Sequence, residues 1–96
     1  MIYWEKDALN DRFEFYRFIH AENPLAAERA DTYLTEAIQR LERFPELGVQ
    51  RQNLPGRLLV LPTLSLLVLY TADVTAQATT IYVLRVLHQR QHPPLE

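Results

Sequence analysis

The 96-residue chain has no cysteine, which excludes disulfides, thiolate nucleophiles and cysteine-held metal. Lys6 is its sole lysine, and the formal charge is −2. It therefore lacks the strong positive field on which polyanion-binding proteins usually depend. A long hydrophobic run is missing as well. The longest mostly apolar stretch, Leu58 to Leu69, is shorter than a bilayer span and is interrupted by Pro62, Thr63 and Ser65. Met1 leads directly into Ile2-Tyr3-Trp4-Glu5, without a basic n-region or an apolar h-region, so no secretory leader is expected. A cytoplasmic protein without membrane contact is the expectation. His20, His88 and His92 have no metal-ligand spacing, so neither metal nor cofactor is expected.

What is present is globular: 48% apolar and 23% charged residues. The length fits one domain over residues 1–96, near the size where stability is thin. The closing Leu95-Glu96 has the form of a vector-derived scar and is given no functional weight. Charge is unevenly spread. Ten of the twelve carboxylates lie in residues 1–46, whereas Arg51, Arg57, Arg85 and Arg90 face only Asp73 between Gln50 and Pro94. An acidic partner should prefer the back half.

Ile2 to Trp4 reads as a first strand, followed by a helix from Lys6 to His20. That helix has Ala8, Leu9, Phe13, Tyr16 and His20 at helical spacing, with Phe15, Phe18 and Ile19 widening the apolar sector. His20 ends it, where positive charge is favourable. Asn23 as N-cap and Pro24 at the first helical position begin a second helix, which Pro45 and Gly48 end near Phe44. Its core face is Ala27, Ala30, Tyr33 or Leu34, Ala37, Ile38, Leu41 and Phe44. The alanines allow the two helices to pack as an antiparallel hairpin. Beyond Gly48 the period becomes that of strands at Gln50-Arg51-Gln52, Leu58–Leu61, Leu64–Thr71 and Thr79–Leu87. The order β-α-α-β-β-β predicts an α+β domain, with the N-terminal strand and helical hairpin on a twisted, mainly antiparallel sheet.

The run Ile81-Tyr82-Val83-Leu84-Arg85-Val86-Leu87-His88 is the most informative segment. Its apolar continuity predicts a strand buried on both faces, yet Arg85 sits in its middle. An unpaired interior charge is too costly to keep. Arg85 must either meet a carboxylate of the helical hairpin, such as Asp11 or Glu14, or open onto a surface that meets another molecule. Arg57 poses the same choice.

These segments together resemble the RelE/ParE superfamily of toxins from bacterial type II toxin–antitoxin modules. The resemblance runs through Trp4-Glu5-Lys6-Asp7-Ala8-Leu9-Asn10-Asp11-Arg12, Asn23-Pro24-Leu25-Ala26-Ala27 and Gly56-Arg57-Leu58-Leu59-Val60, and closes on Arg85-Val86-Leu87-His88. It covers nearly the whole chain, and it departs at Leu64, where many relatives carry a tyrosine. The superfamily joins two activities on one scaffold, so fold alone does not choose between them. RelE-like members cut messenger RNA in the ribosomal A site, and ParE-like members poison DNA gyrase through a protein–protein contact. Both are neutralised by a cognate antitoxin in a hetero-oligomer, whose C-terminal segment wraps the toxin.

For RNA cleavage, His88 and His92 would move protons, while Arg51, Arg57, Arg85 and Arg90 would meet phosphorane charge. In that case Arg57, Arg85 and His88 are the catalytic candidates. The acidic balance opposes ribosome docking. The gyrase reading needs only a stable fold and an exposed basic patch, which Arg51, Arg57, Arg85, His88 and Arg90 would supply. The closing Arg-Val-Leu-His-Gln-Arg-Gln looks more like ParE, so gyrase poisoning is the expected activity and ribonuclease the alternative. Phe13, Phe15, Tyr16 and Phe18 are expected in the core and not as a base-stacking platform.

Overall fold

The computed structural model describes residues 1–89. Strand β1 (Ile2–Trp4) leads into helices α1 (Lys6–His20) and α2 (Pro24–Arg43). Then come β2 (Val49–Gln50), β3 (Arg57–Leu61), a 3-10 turn at Pro62–Leu64, β4 (Leu66–Val74) and β5 (Thr79–His88). The five strands form one sheet in the order β1-β5-β4-β3-β2. Only β1 and β5 pair in parallel; the other three pairings are antiparallel. The α+β reading holds, with several back-half strand boundaries moved by one to three residues. The first back-half strand is Val49–Gln50, leaving Arg51 outside it, and Leu64 belongs to the 3-10 turn instead of a strand. The third runs on to Val74, so Tyr70 sits inside it.

Helix α2 begins as its sequence dictates, with the Asn23 side chain accepting from the Ala26 N–H at 3.1 Å and Pro24 at the first position. Ala27, Ala30, Leu34, Ala37, Ile38 and Leu41 are buried along one face. Burying each of Leu34, Ile38 and Leu41 contributes roughly 1.5–3 kcal/mol. Of the pair Tyr33 or Leu34, Leu34 is the one that faces the core and Tyr33 is exposed, while Phe44, also read as core-facing, is exposed. The hairpin is antiparallel. Arg12 of α1 makes a two-pronged pair with Asp31 of α2 at 2.8 and 2.9 Å, and Tyr16 bonds Glu28 one turn along. The Arg12 guanidinium also lies over the Trp4 ring, 4.8 Å from its centroid, tying the hairpin to β1.

Helix α1 corrects the sequence reading. Its buried residues are Ala8 and Phe15, with Ile19 packed against the core, while Leu9, Phe13 and Phe18 are exposed. The inward line is Ala8, Asp11, Phe15 and Ile19. The predicted face, centred on Leu9, Phe13, Tyr16 and His20, is displaced from this line by one position, about 100° of helix rotation.

Strand β5 is likewise not buried on both faces. Ile81 and Val83 are buried, then Val86 and His88, with half-buried residues between them. The alternation slips because Leu69 pairs with Arg85 but Tyr70 with Val83, leaving Leu84 as the extra residue of a bulge.

Tyr70 is the hub of the far side of the sheet. It is fully buried, donating to the Pro45 carbonyl at 2.7 Å and accepting from the Gly48 N–H at 2.8 Å. Both glycines of the chain stand against it. A Cβ at Gly48 would lie 2.7 Å from the Tyr70 ring, and one at Gly56 would lie 2.2 Å from its carbonyl oxygen. Burial pushes the Tyr70 phenol above its ordinary pKa, partly offset by the Gly48 N–H and the charge of Arg57. Stability from the neutral phenol is therefore complete below the unfolded tyrosine value of about 10 and is lost as pH rises through the higher folded value. Tyr70→Phe should cost about 1–3 kcal/mol in denaturant unfolding, because a buried N–H and carbonyl lose their partner. The same variant should show a smaller alkaline loss of stability than the wild-type chain.

Candidate functional site

Strand β1 is too short to cover the whole of β5. It pairs with Ile81, Tyr82 and Val83, and the Glu5 N–H donates to the Val83 carbonyl at 2.9 Å. Past that point the β5 edge lies open beside α1. Asp11 reaches across to it. One carboxylate oxygen accepts from Arg85 Nε at 2.7 Å and from the Val86 N–H at 2.9 Å; the other accepts from Arg85 Nη2 at 2.9 Å. The side chain of Asp11 thus stands in for the next acceptor that a longer β1 would have supplied, and it answers the charge of Arg85. Its side chain is 11% exposed and that of Arg85 is 41% exposed. The Asp11 bonds hold the Arg85 guanidinium pKa above its ordinary value.

Bringing Val86 and His88 back to the helix face, the bulge places them beneath α1. His88 is 6% exposed, with its ring 5.2 Å from Phe15 in an edge-on contact and 5.2 Å from Phe18 in a tilted one. A cavity of about 500 Å³ follows the open edge, lined by Asn10, Asp11, Glu14, Phe15, Arg85, Val86 and His88. Of the candidate residues, Arg85 and His88 meet here.

The others do not. Arg57 lies on β3, across β4 from Arg85, and its side chain turns toward the α2–β2 loop, donating from Nη1 to the Gly48 carbonyl at 2.9 Å. It makes no carboxylate pair among the described residues, so of the two ion pairs anticipated, only that of Arg85 forms. Arg51 is exposed just beyond β2. Arg90, His92 and Leu95-Glu96 lie outside the described residues. Of the four aromatics expected in the core of α1, Phe15 is buried and Phe13 and Phe18 are exposed. Sequence reasoning named Asp11 as a partner for Arg85 but missed its bond to Val86. The signal was an acid at position i+3 from Ala8 and i−4 from Phe15, two residues of the inward face.

A second, more apolar groove runs between the tip of the hairpin and the turn joining β3 to β4. Its walls include Leu25, Ala26, Ala30, Tyr33 and Leu64. Among the described residues, no three His, Cys, Asp or Glu side chains gather so as to hold a metal ion, and no helix is long and apolar enough to cross a membrane.

Asp11→Ala should destabilise the chain by about 2–3 kcal/mol in denaturant unfolding, since it strips the buried Val86 N–H and the Arg85 guanidinium of their shared acceptor. Arg85→Ala should cost less, about 1 kcal/mol, because its head is partly in water and Asp11 keeps its bond to Val86. The double variant should fall short of the sum.

The family model described as "ParE toxin of type II toxin-antitoxin system, parDE" matches residues 2–93. Among solved structures, a chain from the chromosomal ParDE TA system of P. aeruginosa superposes with a TM-score of 0.73. It is 21% identical, over 91% of this chain and 92% of that one, so the likeness speaks for the fold. No curated protein matches the sequence.

Proposed function

Because the chain belongs to the ParE toxin family of type II toxin–antitoxin systems, we propose that it inhibits bacterial growth by binding DNA gyrase, without catalysing a reaction, and that a cognate antitoxin neutralises it. The observation that carries this reading is the state of the Arg85–His88 end of the sheet. An RNA-cleaving site needs a proton-transfer group within reach of substrate and cations free to meet new negative charge. His88 is packed under Phe15 and Phe18, and the charge of Arg85 is already answered by Asp11.

A protein contact asks for less. Arg85 uses Nε and one Nη2 hydrogen on Asp11, which leaves the Nη1 side of its fork for a carboxylate or carbonyl of the target. Arg85 is the direct contact in this reading, with Arg51 and Arg90 as further cations. His88 supports that surface from behind, while Arg57 acts at a distance from it by fixing the loop that leads into β2, just past which Arg51 lies. The antitoxin's C-terminal segment takes the apolar groove between the hairpin tip and the β3–β4 turn, where Leu25 and Tyr33 are exposed. Gyrase binding places the protein in the cytoplasm.

The ribonuclease alternative is favoured by the shared cavity of Arg85 and His88. The two separate in a purified system. The chain is expected to stabilise gyrase–DNA cleavage complexes and to leave translated mRNA intact; cut mRNA with unaffected gyrase would reverse the assignment. Arg85→Ala should lose at least about tenfold in gyrase affinity, ~1.4 kcal/mol, while its circular dichroism stays that of the parent.

A further inference from the structure

The loop from Phe44 to Val49 combines two properties that a purely structural connection would not. It is braced from beneath. The Tyr70 hydroxyl bridges Pro45 and Gly48, Arg57 holds the Gly48 carbonyl, and the Tyr70 ring leaves no room for a Cβ at Gly48. Yet the braced loop presents Phe44, Leu47 and Val49 to water, 54%, 53% and 58% exposed. They border a cavity of about 400 Å³ lined by Arg43, Phe44, Pro45, Glu46 and Leu47. Rigid backbone that holds three large apolar side chains in solvent gives up burial the fold could otherwise have had.

The surrounding charge identifies what would cover them. Arg40 and Arg43 in the last turn of α2, and Arg51 just beyond β2, are exposed, and none forms a salt bridge among the described residues. The helix C-terminus favours the first two by itself, but Arg51 lies outside the helix. Against these three cations, Glu46 is the carboxylate in the cavity lining, and Glu42 is paired with the N-terminal amine. Strand β2 is the outermost of its end of the sheet, so its far backbone edge has no neighbouring strand. The cavity at Arg85 has the opposite balance, with Asp11 and Glu14 in its lining.

We propose that this surface binds an extended acidic segment of a partner protein. The segment pairs along the Val49–Gln50 edge, seats apolar side chains on Phe44, Leu47 and Val49, and places carboxylates on Arg43 and Arg51. Arg57 is a positioning residue here: it fixes the loop and does not touch the partner. The inference shares Arg51 and Arg57 with the gyrase reading but not its direct contact, Arg85, and it shares no lining residue with the antitoxin groove.

The test titrates the full chain with a fluorescein-labelled peptide that alternates aspartate and valine, and with a counterpart carrying lysine in place of aspartate. Anisotropy reports affinity and backbone amide shifts report location. The aspartate peptide is expected to bind, the lysine peptide not, with the largest shifts at Val49 and Gln50 and affinity falling as salt is added. Arg43→Glu combined with Arg51→Glu should weaken binding by about tenfold or more without moving the melting temperature, since both side chains are exposed. Arg57→Ala, which leaves those charges in place, should weaken binding and speed amide exchange at Gly48. No binding of the aspartate peptide would overturn the proposal, as would equal binding of both peptides. So would indifference to the double reversal, or shifts centred on the Leu25–Leu64 groove or on Arg85.

Discussion

One carboxylate sets the arrangement of the β5 edge of this molecule. Strand β1 stops at Trp4 and leaves the rest of the β5 edge without a strand beside it. Asp11 meets both of the needs this creates, a backbone donor at Val86 and a charge at Arg85, with two oxygens and three short bonds. Meeting both demands that α1 turn Asp11 inward. That rotation carries Phe15 over His88 and leaves Leu9 and Phe13 in water. The bulge at Leu84, the phase of α1 and the burial of His88 are parts of a single geometric solution.

The two halves of the sheet do different work. At the β5 end, the charge of Arg85 is answered by Asp11 and His88 is enclosed by Phe15 and Phe18. On the β2–β3 side, Tyr70 and Arg57 spend their polar groups on the Pro45–Gly48 backbone, fixing a loop whose apolar side chains face outward. Arg57 and Arg85 look alike in the sequence, yet one braces a loop while the other stands at an open sheet edge. A single basic patch combining the two is not what the chain builds.

Much of this was legible in the chain itself. Helix α2 announced its start through Asn23-Pro24 and its face through Leu34, Ile38 and Leu41, because cap chemistry and helical period act locally. The strands followed from Pro and Gly punctuation and β-branched runs. What escaped depended on contacts distant in sequence. Asp11 could be named as a partner for Arg85, 74 residues away, but the apolar pattern of α1 did not turn it inward, so the predicted helix phase differs from the observed one. The slip at Leu84 was equally hidden, since a continuous apolar run carries no mark of which residue is unpaired. The open ends of β1 and β2 decide where the candidate sites lie, and strand length at an edge is set by tertiary packing more than by propensity.

Native-state amide exchange at Val86 tests the role of Asp11 most directly. If that carboxylate replaces the missing strand, the Val86 amide should exchange as slowly as that of Ile81, which bonds the Met1 carbonyl at 2.8 Å. In Asp11→Ala, Val86 should lose that protection while Ile81 keeps its own relative to the lowered global stability. Rapid exchange at Val86 in the parent chain, or protection untouched by the substitution, would contradict the account.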